Sequence, residues 1–182
     1  MKFNSTTLRD VWLIELEPAV DSRGLFARTF CVEEFVAHGL ETGYAQHSIS
    51  FSTRKGTLRG LHYQREPHSE VKLVRCVRGA IWDAIIDIRP DSPTYRCWQD
   101  FELSSANRYQ LYIPKGFAHG FQTLTDDVEV NYLISGPYSP QLAHGIRYND
   151  PIFAISWPLP ITEISSKDLG WPDFANAYKR RF

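Results

Sequence analysis

The feature that most limits how this chain can fold is its punctuation: short runs rich in Val, Ile, Tyr, Phe and Trp, each closed by a cluster of Gly, Pro, Asp or Ser. Many such runs at close spacing build an all-β sandwich or barrel. Strands are expected over Val11 to Leu16, Tyr44 to Ser52, Thr57 to Tyr63, Val71 to Val77, Ala80 to Ile88, Trp98 to Leu103, Gln110 to Ile113, Ala118 to Thr123 and Val128 to Ser135. A helix is expected at Val32 to His38, where Glu33 and Glu34 occupy the first turn and Gly39 follows as a stop. Shorter helices are expected near Ser165 to Leu169 and Phe174 to Tyr178. Between Pro137 and Pro160 stand five prolines, yet Ile146, Tyr148, Ile152, Phe153, Ile155 and Trp157 carry too much apolar surface to leave in water. That stretch should wrap the barrel as an extended segment.

No repeat, low-complexity tract or linker divides the chain, and its 182 residues, 43% of them hydrophobic, suit one domain spanning 1–182 with one substantial core. With 20 basic and 21 acidic residues, the net charge of −1 gives no electrostatic reason to expect nucleic acid or a membrane surface as partner. Any anion must be met by a local cluster. No apolar run approaches membrane-spanning length and the first residues lack a signal core, so a cytoplasmic protein is expected. Cys31, Cys76 and Cys97 are odd in number and widely spaced, as in reduced thiols.

Three stretches could carry chemistry. In Leu58 to Gln64, period-two alternation puts Leu58, Gly60, His62 and Gln64 on one face, with Gly60 leaving room for a ligand beside His62. A buried histidine satisfied by hydrogen bonds is the competing reading. In Val71 to Val77, parity groups Lys72 with Val74 and Cys76. If that face lines the barrel, the ammonium group points inward and needs a carboxylate or a substrate that develops negative charge; if it faces outward, Lys72 is merely solvated. In Ile113 to Phe121, a Pro-Lys-Gly turn feeds His119 onto a new strand, as in the second half of a metal-binding cupin. His62 is followed by Tyr63 and Gln64, however, and two histidines fall short of the three or four ligands zinc or iron requires, so no metal is expected. Neither His47 nor His68 has ligand spacing to a partner. Phosphate loops, nucleophile elbows and dinucleotide fingerprints are absent.

Taken in order, DSRGLF (21–26), GTLRGLHYQ (56–64), KLVRCVRGAIWDAIIDIR (72–89), YIPKGFAHGFQTL (112–124), VNYLI (130–134), YSP (138–140), GIRYNDP (145–151) and SSKD (165–168) resemble the dTDP-4-dehydrorhamnose 3,5-epimerase family from about Arg9 to Trp171. The resemblance implies a cupin-type double-stranded β-helix, or jelly-roll barrel, and a cofactor-free removal and return of protons beside the 4-ketone of a deoxyhexose carried on a nucleoside diphosphate. It implies a homodimer whose N-terminal strands cross to the neighbouring barrel; Val11, Leu13 and Leu16 could add to a sheet edge there.

By the same resemblance, His62 would be the base, Asp168 would orient its imidazole, Lys72 would neutralise the enolate and Tyr132 would return the proton from the opposite face. Arg23, Arg59 and His119 match positions that contact diphosphate or sugar, Tyr138 the aromatic that stacks on the base, and Phe26, Arg28, Gln46, Ser48 and Lys167 other substrate-binding positions. Arg59 and His62 lie three residues apart and would face opposite ways on a regular strand; either a bulge intervenes or Arg59 reaches round the edge. The chain departs from the family at Arg28 and Ala143, where glutamate is common, at Ser48, where asparagine is common, and near Ala19 and Val20, where many relatives carry phenylalanine. Thymidine is therefore the leading nucleoside, with cytidine, guanosine and uridine open. Competing functions are a single-centre epimerase, a 3,4-ketoisomerase, a non-catalytic sugar-nucleotide-binding cupin and a metal-dependent oxygenase.

Overall fold

The computed structural model describes residues 1–174. The chain begins with β1 (Lys2–Ser5), β2 (Trp12–Glu15), the hairpin β3 (Ala19–Asp21) and β4 (Gly24–Phe26), and α1 (Val32–Ala37). Eight strands follow: β5 (Gln46–Ser52), β6 (Thr57–Gln64), β7 (Lys72–Arg78), β8 (Ala80–Asp87), β9 (Trp98–Ser104), β10 (Gln110–Ile113), β11 (Phe117–Thr123) and β12 (Val128–Ile134). Short β13 (Ala143–Gly145), β14 (Glu163–Ile164) and α2 (Ser166–Leu169) complete the described chain.

Pairing explains the architecture. Antiparallel ladders join β8 to β9, β7 to β10, β6 to β11 and β5 to β12, so the eight strands form one long two-stranded ribbon closed by the β8–β9 hairpin. The ribbon coils on itself through β7–β12 and β8–β11. The products are two facing sheets, ordered β1-β2-β10-β7-β12-β5 and β13-β6-β11-β8-β9, with β14 also on β6. This is the expected double-stranded β-helix of the cupins.

Alternation then sorts the side chains. Val74, Cys76, Ile81, Ile85, Leu111, Phe121 and Val130 fill the space between the sheets. Outside one sheet, Phe35 of α1 packs with Ile14, Val71, Leu73 and Tyr112. Outside the other, Ile146, Phe153 and Ile155 cover Leu61, Tyr63, Ile86 and Ala118. The proline-rich segment therefore wraps the barrel as expected, although Ile152 remains exposed. All nine expected strands are present with ends displaced by two residues or fewer; of the third expected helix, only Phe174 lies within the described residues. The three cysteines are free thiols, and among the described residues no helix is long and apolar enough to cross a membrane.

One irregularity shapes everything downstream. Opposite β11, His62 pairs with His119 but Arg59 pairs with Phe121, so Gly60 and Leu61 together oppose the single residue Gly120. This bulge places Arg59 and His62 on the same inner face, removing the parity conflict in the sequence. It also corrects the role expected for Gly60. Its φ is +121°, and a Cβ there would stand 2.5 Å from the Gly120 Cα, so the missing side chain makes room for the facing strand and not for a ligand. At Gly120 a Cβ would stand 2.8 Å from the Arg59 carbonyl oxygen. Gly120→Ala should force these backbones apart, costing about 1–3 kcal/mol in denaturant unfolding. It should also lower turnover by misaligning Arg59 and His62; a variant with unchanged unfolding midpoint would contradict this account of the bulge.

Candidate active site

The cavity of about 620 Å³ between the two sheets is lined by both walls of the barrel and by the returning C-terminal segment. From the β6–β11 wall come Arg59, His62 and His119; from the facing sheet come Ser48, Lys72 and Tyr132. Tyr138, Ala143 and His144 add a rim, and Lys167, Asp168 and Trp171 close one side.

His62 and Asp168 are 106 positions apart in sequence, yet His62 Nε2 lies 2.6 Å from Asp168 Oδ1. Their meeting depends on the C-terminal segment: β14 runs parallel to the start of β6, and Ser165 caps α2 by accepting the Asp168 backbone N–H at 3.1 Å. The Asp168 carboxylate is buried, whereas the His62 side chain is 42% exposed toward the cavity. Burial opposes ionisation of Asp168, but His62, the Gly60 backbone N–H and the Trp171 indole N–H together outweigh it, so its pKa lies below the ordinary carboxylate range. An ionised Asp168 holds the shared proton on His62 Nε2, which leaves Nδ1 to accept another.

Parity does turn Lys72 inward. Its ammonium lies 3.3 Å from Glu70 Oε1, with both side chains about nine-tenths buried. Glu70 Oε2 accepts from Gln64 Nε2 at 2.7 Å, and Gln64 Oε1 accepts the Ser139 N–H, which ties the Lys72 pair to the segment bearing Tyr138. Burial pushes the Tyr132 phenol well above its ordinary range, reinforced by the negative field of Asp83. It therefore remains a proton donor at neutral pH. Across from it, His119 Nε2 lies 2.7 Å from Asp83 Oδ2, and the His119 and Tyr132 rings meet edge to face at 6.2 Å. Arg59 is braced against β5, donating to Ser52 Oγ at 3.0 Å and to the Phe51 carbonyl at 2.8 Å.

The structure thus brings together His62, Lys72, Tyr132, Asp168, Arg59, His119, Ser48, Tyr138 and Lys167. Arg23, Phe26, Arg28 and Gln46 do not line this cavity. Arg23 pairs with Asp21 on the exposed β3–β4 hairpin, where Phe26 is 79% exposed, and Arg28 pairs with Glu34. Nor do Val11 and Leu13 reach outward: Val11 is buried in the chain's own barrel, Leu13 packs against it, and β2 lies on β10.

Sequence reasoning missed Glu70, Asp83 and Trp171. Asp83 had a signal, since it shares parity with Ile81 and Ile85 in an apolar strand, and a buried acid needs a partner. Among the described residues, no group of three or more His, Cys, Asp or Glu is arranged to hold a metal ion.

Comparison with known proteins agrees with this geometry. The family model described as dTDP-4-dehydrorhamnose 3,5-epimerase matches residues 5–176. An enzyme of that name from Sinorhizobium fredii is 42% identical over 173 residues, 94% of this chain and 89% of its own. The Mycobacterium tuberculosis epimerase superposes with a TM-score of 0.94 at 37% identity, covering 98% of this chain and 91% of that one. A 3'-monoepimerase from Streptomyces bikiniensis, solved with dTDP-quinovose, superposes with a TM-score of 0.88 at 32% identity, covering 96% and 88%. With the fold, the cavity and these likenesses in agreement along nearly its whole length, the chain belongs to the dTDP-4-dehydrorhamnose 3,5-epimerase family.

Proposed function

We propose that the protein epimerises carbons 3 and 5 of a nucleoside-diphosphate 4-keto-6-deoxyhexose, with dTDP-4-dehydro-6-deoxy-D-glucose as the leading substrate and dTDP-4-dehydro-L-rhamnose as product. The observation that carries this reading is a carboxylate-backed imidazole on one wall of a cavity and a protonated phenol on the facing wall. Inversion beside a ketone needs that pair. His62 Nδ1 takes the proton from the carbon next to the carbonyl, and the electrons of the broken C–H bond pass to the carbonyl oxygen. Lys72 stabilises the resulting enolate. The enolate electrons then form a C–H bond to the Tyr132 hydroxyl proton on the opposite face, and the tyrosinate recovers a proton from solvent. Once the imidazolium of His62 has given its proton to solvent, the base is free again, and repeating the cycle at the second carbon gives the double inversion. The ketone stays at carbon 4, which separates this reaction from ketoisomerisation.

Arg59 and His119 bind the diphosphate and sugar, Lys167 closes the cavity over them, and Tyr138 stacks on the base at the rim. Two departures from the family pattern, Ser48 and Ala143, line the cavity itself and bear on which base is accepted. A homodimer accounts for the hairpin that the cavity leaves unused. Val20 and Phe26 are 74% and 79% exposed, an apolar tip that a second barrel would cover. Arg23, Phe26 and Arg28 would then act at the partner's cavity. Reaction and assembly belong to the cytoplasm.

A single-centre epimerase is the second reading, favoured by the likeness to the 3'-monoepimerase. Incubation in deuterium oxide distinguishes them: the double epimerase labels carbons 3 and 5, the single epimerase one of them, and absence of label from every nucleoside-diphosphate 4-ketosugar ends both. Tyr132→Phe should retain labelling by His62 while inversion falls about 10²–10⁴-fold; full inversion by this variant would remove Tyr132 from the mechanism. Light scattering should give twice the mass of the chain, falling to one chain for Phe26→Glu; a monomeric wild-type protein would overturn the assembly.

A further inference from the structure

Asp168 has a third partner that the mechanism leaves unexplained. The Trp171 indole N–H donates at 3.2 Å to Oδ1, the same oxygen that faces His62 Nε2. The indole also stands edge to face with the His62 ring, centroids 6.4 Å apart at 72°. Its seat is shaped for it: a Cβ on Gly145, the β13 residue paired with His62, would lie 2.4 Å from the indole ring atoms. On the outer side, Lys167 Nζ sits 5.4 Å from the ring centroid. A surface tryptophan that only packed would need neither the shared oxygen nor the vacant position at Gly145.

We propose that Trp171 is a positioning residue of the epimerase: its indole N–H fixes the Asp168 carboxylate against His62 and sets how strongly that carboxylate holds the imidazolium form. This rests on the epimerase reading of the site. A carboxylate oxygen that accepts two donors shares its charge between them, so it binds each proton less strongly than if it accepted one. Removing the indole N–H concentrates the charge of Oδ1 on His62 Nε2 and stabilises protonated His62. The base is then lost at a higher pH.

Other charges around His62 do not replace this contact. Arg59 of β6, Lys72 of β7 and Lys167 of α2 are cations that disfavour a charged imidazole. Glu70 is bound by Lys72 and Gln64, and His119 of β11 is bound to Asp83. Burial and the neighbouring Arg65 hold His144 of β13 below the usual histidine range. The phenols of Tyr132 and Tyr138 and the carboxylate of Glu163 on β14 complete the lining. All of them remain in place when only the indole is changed.

Trp171→Phe keeps an aromatic ring beside Gly145 and removes the donor. The acid limb of its kcat profile should move to higher pH, so that below the wild-type midpoint kcat falls roughly three- to tenfold while the plateau KM changes less than about twofold. Gly145→Ala, which crowds the same indole from beneath, should move the limb in the same direction. Loss of activity that is equal at every pH, in either variant, would reduce Trp171 to packing and overturn the proposal. The wild-type protein gives a test that needs neither variant nor substrate. By nuclear magnetic resonance, the Trp171 indole proton should titrate with the His62 midpoint, and an indole signal that stays flat while His62 titrates would also overturn it. Because that titration is read without turnover, failure of the Trp171 proposal is distinguishable from failure of the epimerase reading, which would show as absent deuterium exchange in the wild-type protein.

Discussion

The site depends on one hydrogen bond between groups that the chain supplies from positions 106 residues apart. His62 rides on β6, and Asp168 arrives with the returning C-terminal segment. Neither group is useful alone: a solvated imidazole has no fixed tautomer or orientation, and a buried carboxylate without donors resists ionisation. Three donors converge on Asp168, from His62, Gly60 and Trp171, and they keep it charged in spite of its burial. The segment from 143 to 174 is therefore as much a part of the site as the barrel, since it delivers the carboxylate and covers the outer face of the sheet that carries the base.

The jelly roll supplies the second requirement, two facing walls. Coiling a single ribbon puts β6 and β12 in different sheets, so residues on their inner faces confront each other across the cavity. A base and an acid on opposite sides of a planar enolate are what inversion demands, and retention would follow if both came from one wall. The bulge at Gly60 and Leu61 refines this by turning Arg59 inward beside His62, which adds a cation without displacing the base.

Much of this was legible in the sequence. Strands longer than three residues with apolar alternation were found, because burial of one face imposes that pattern. Parity grouped Lys72 with Val74 and Cys76 but left the direction of that face open, and the structure turns it inward. The missed elements β1, β3, β4, β13 and β14 have two to four residues each and too few buried side chains to impose a period. The bulge was one of two alternatives that the sequence left open, because whether one facing residue opposes two is a property of the β6–β11 pair and not of either strand. Asp83 could have been found by parity and Glu70 by its place two residues before Lys72, whereas the seat of Trp171 against His62 and Gly145 depends on long-range packing that no local pattern encodes.

The central claim, that the His62–Asp168 pair removes a proton beside the ketone, is tested most directly by washout of isotope. A nucleoside-diphosphate 4-ketosugar carrying deuterium at carbons 3 and 5 is incubated in ordinary water, and label retained at each carbon is followed by mass spectrometry. The account predicts that the wild-type enzyme releases both labels and that His62→Ala releases neither while still binding the nucleotide. Release by His62→Ala at the wild-type rate would contradict it.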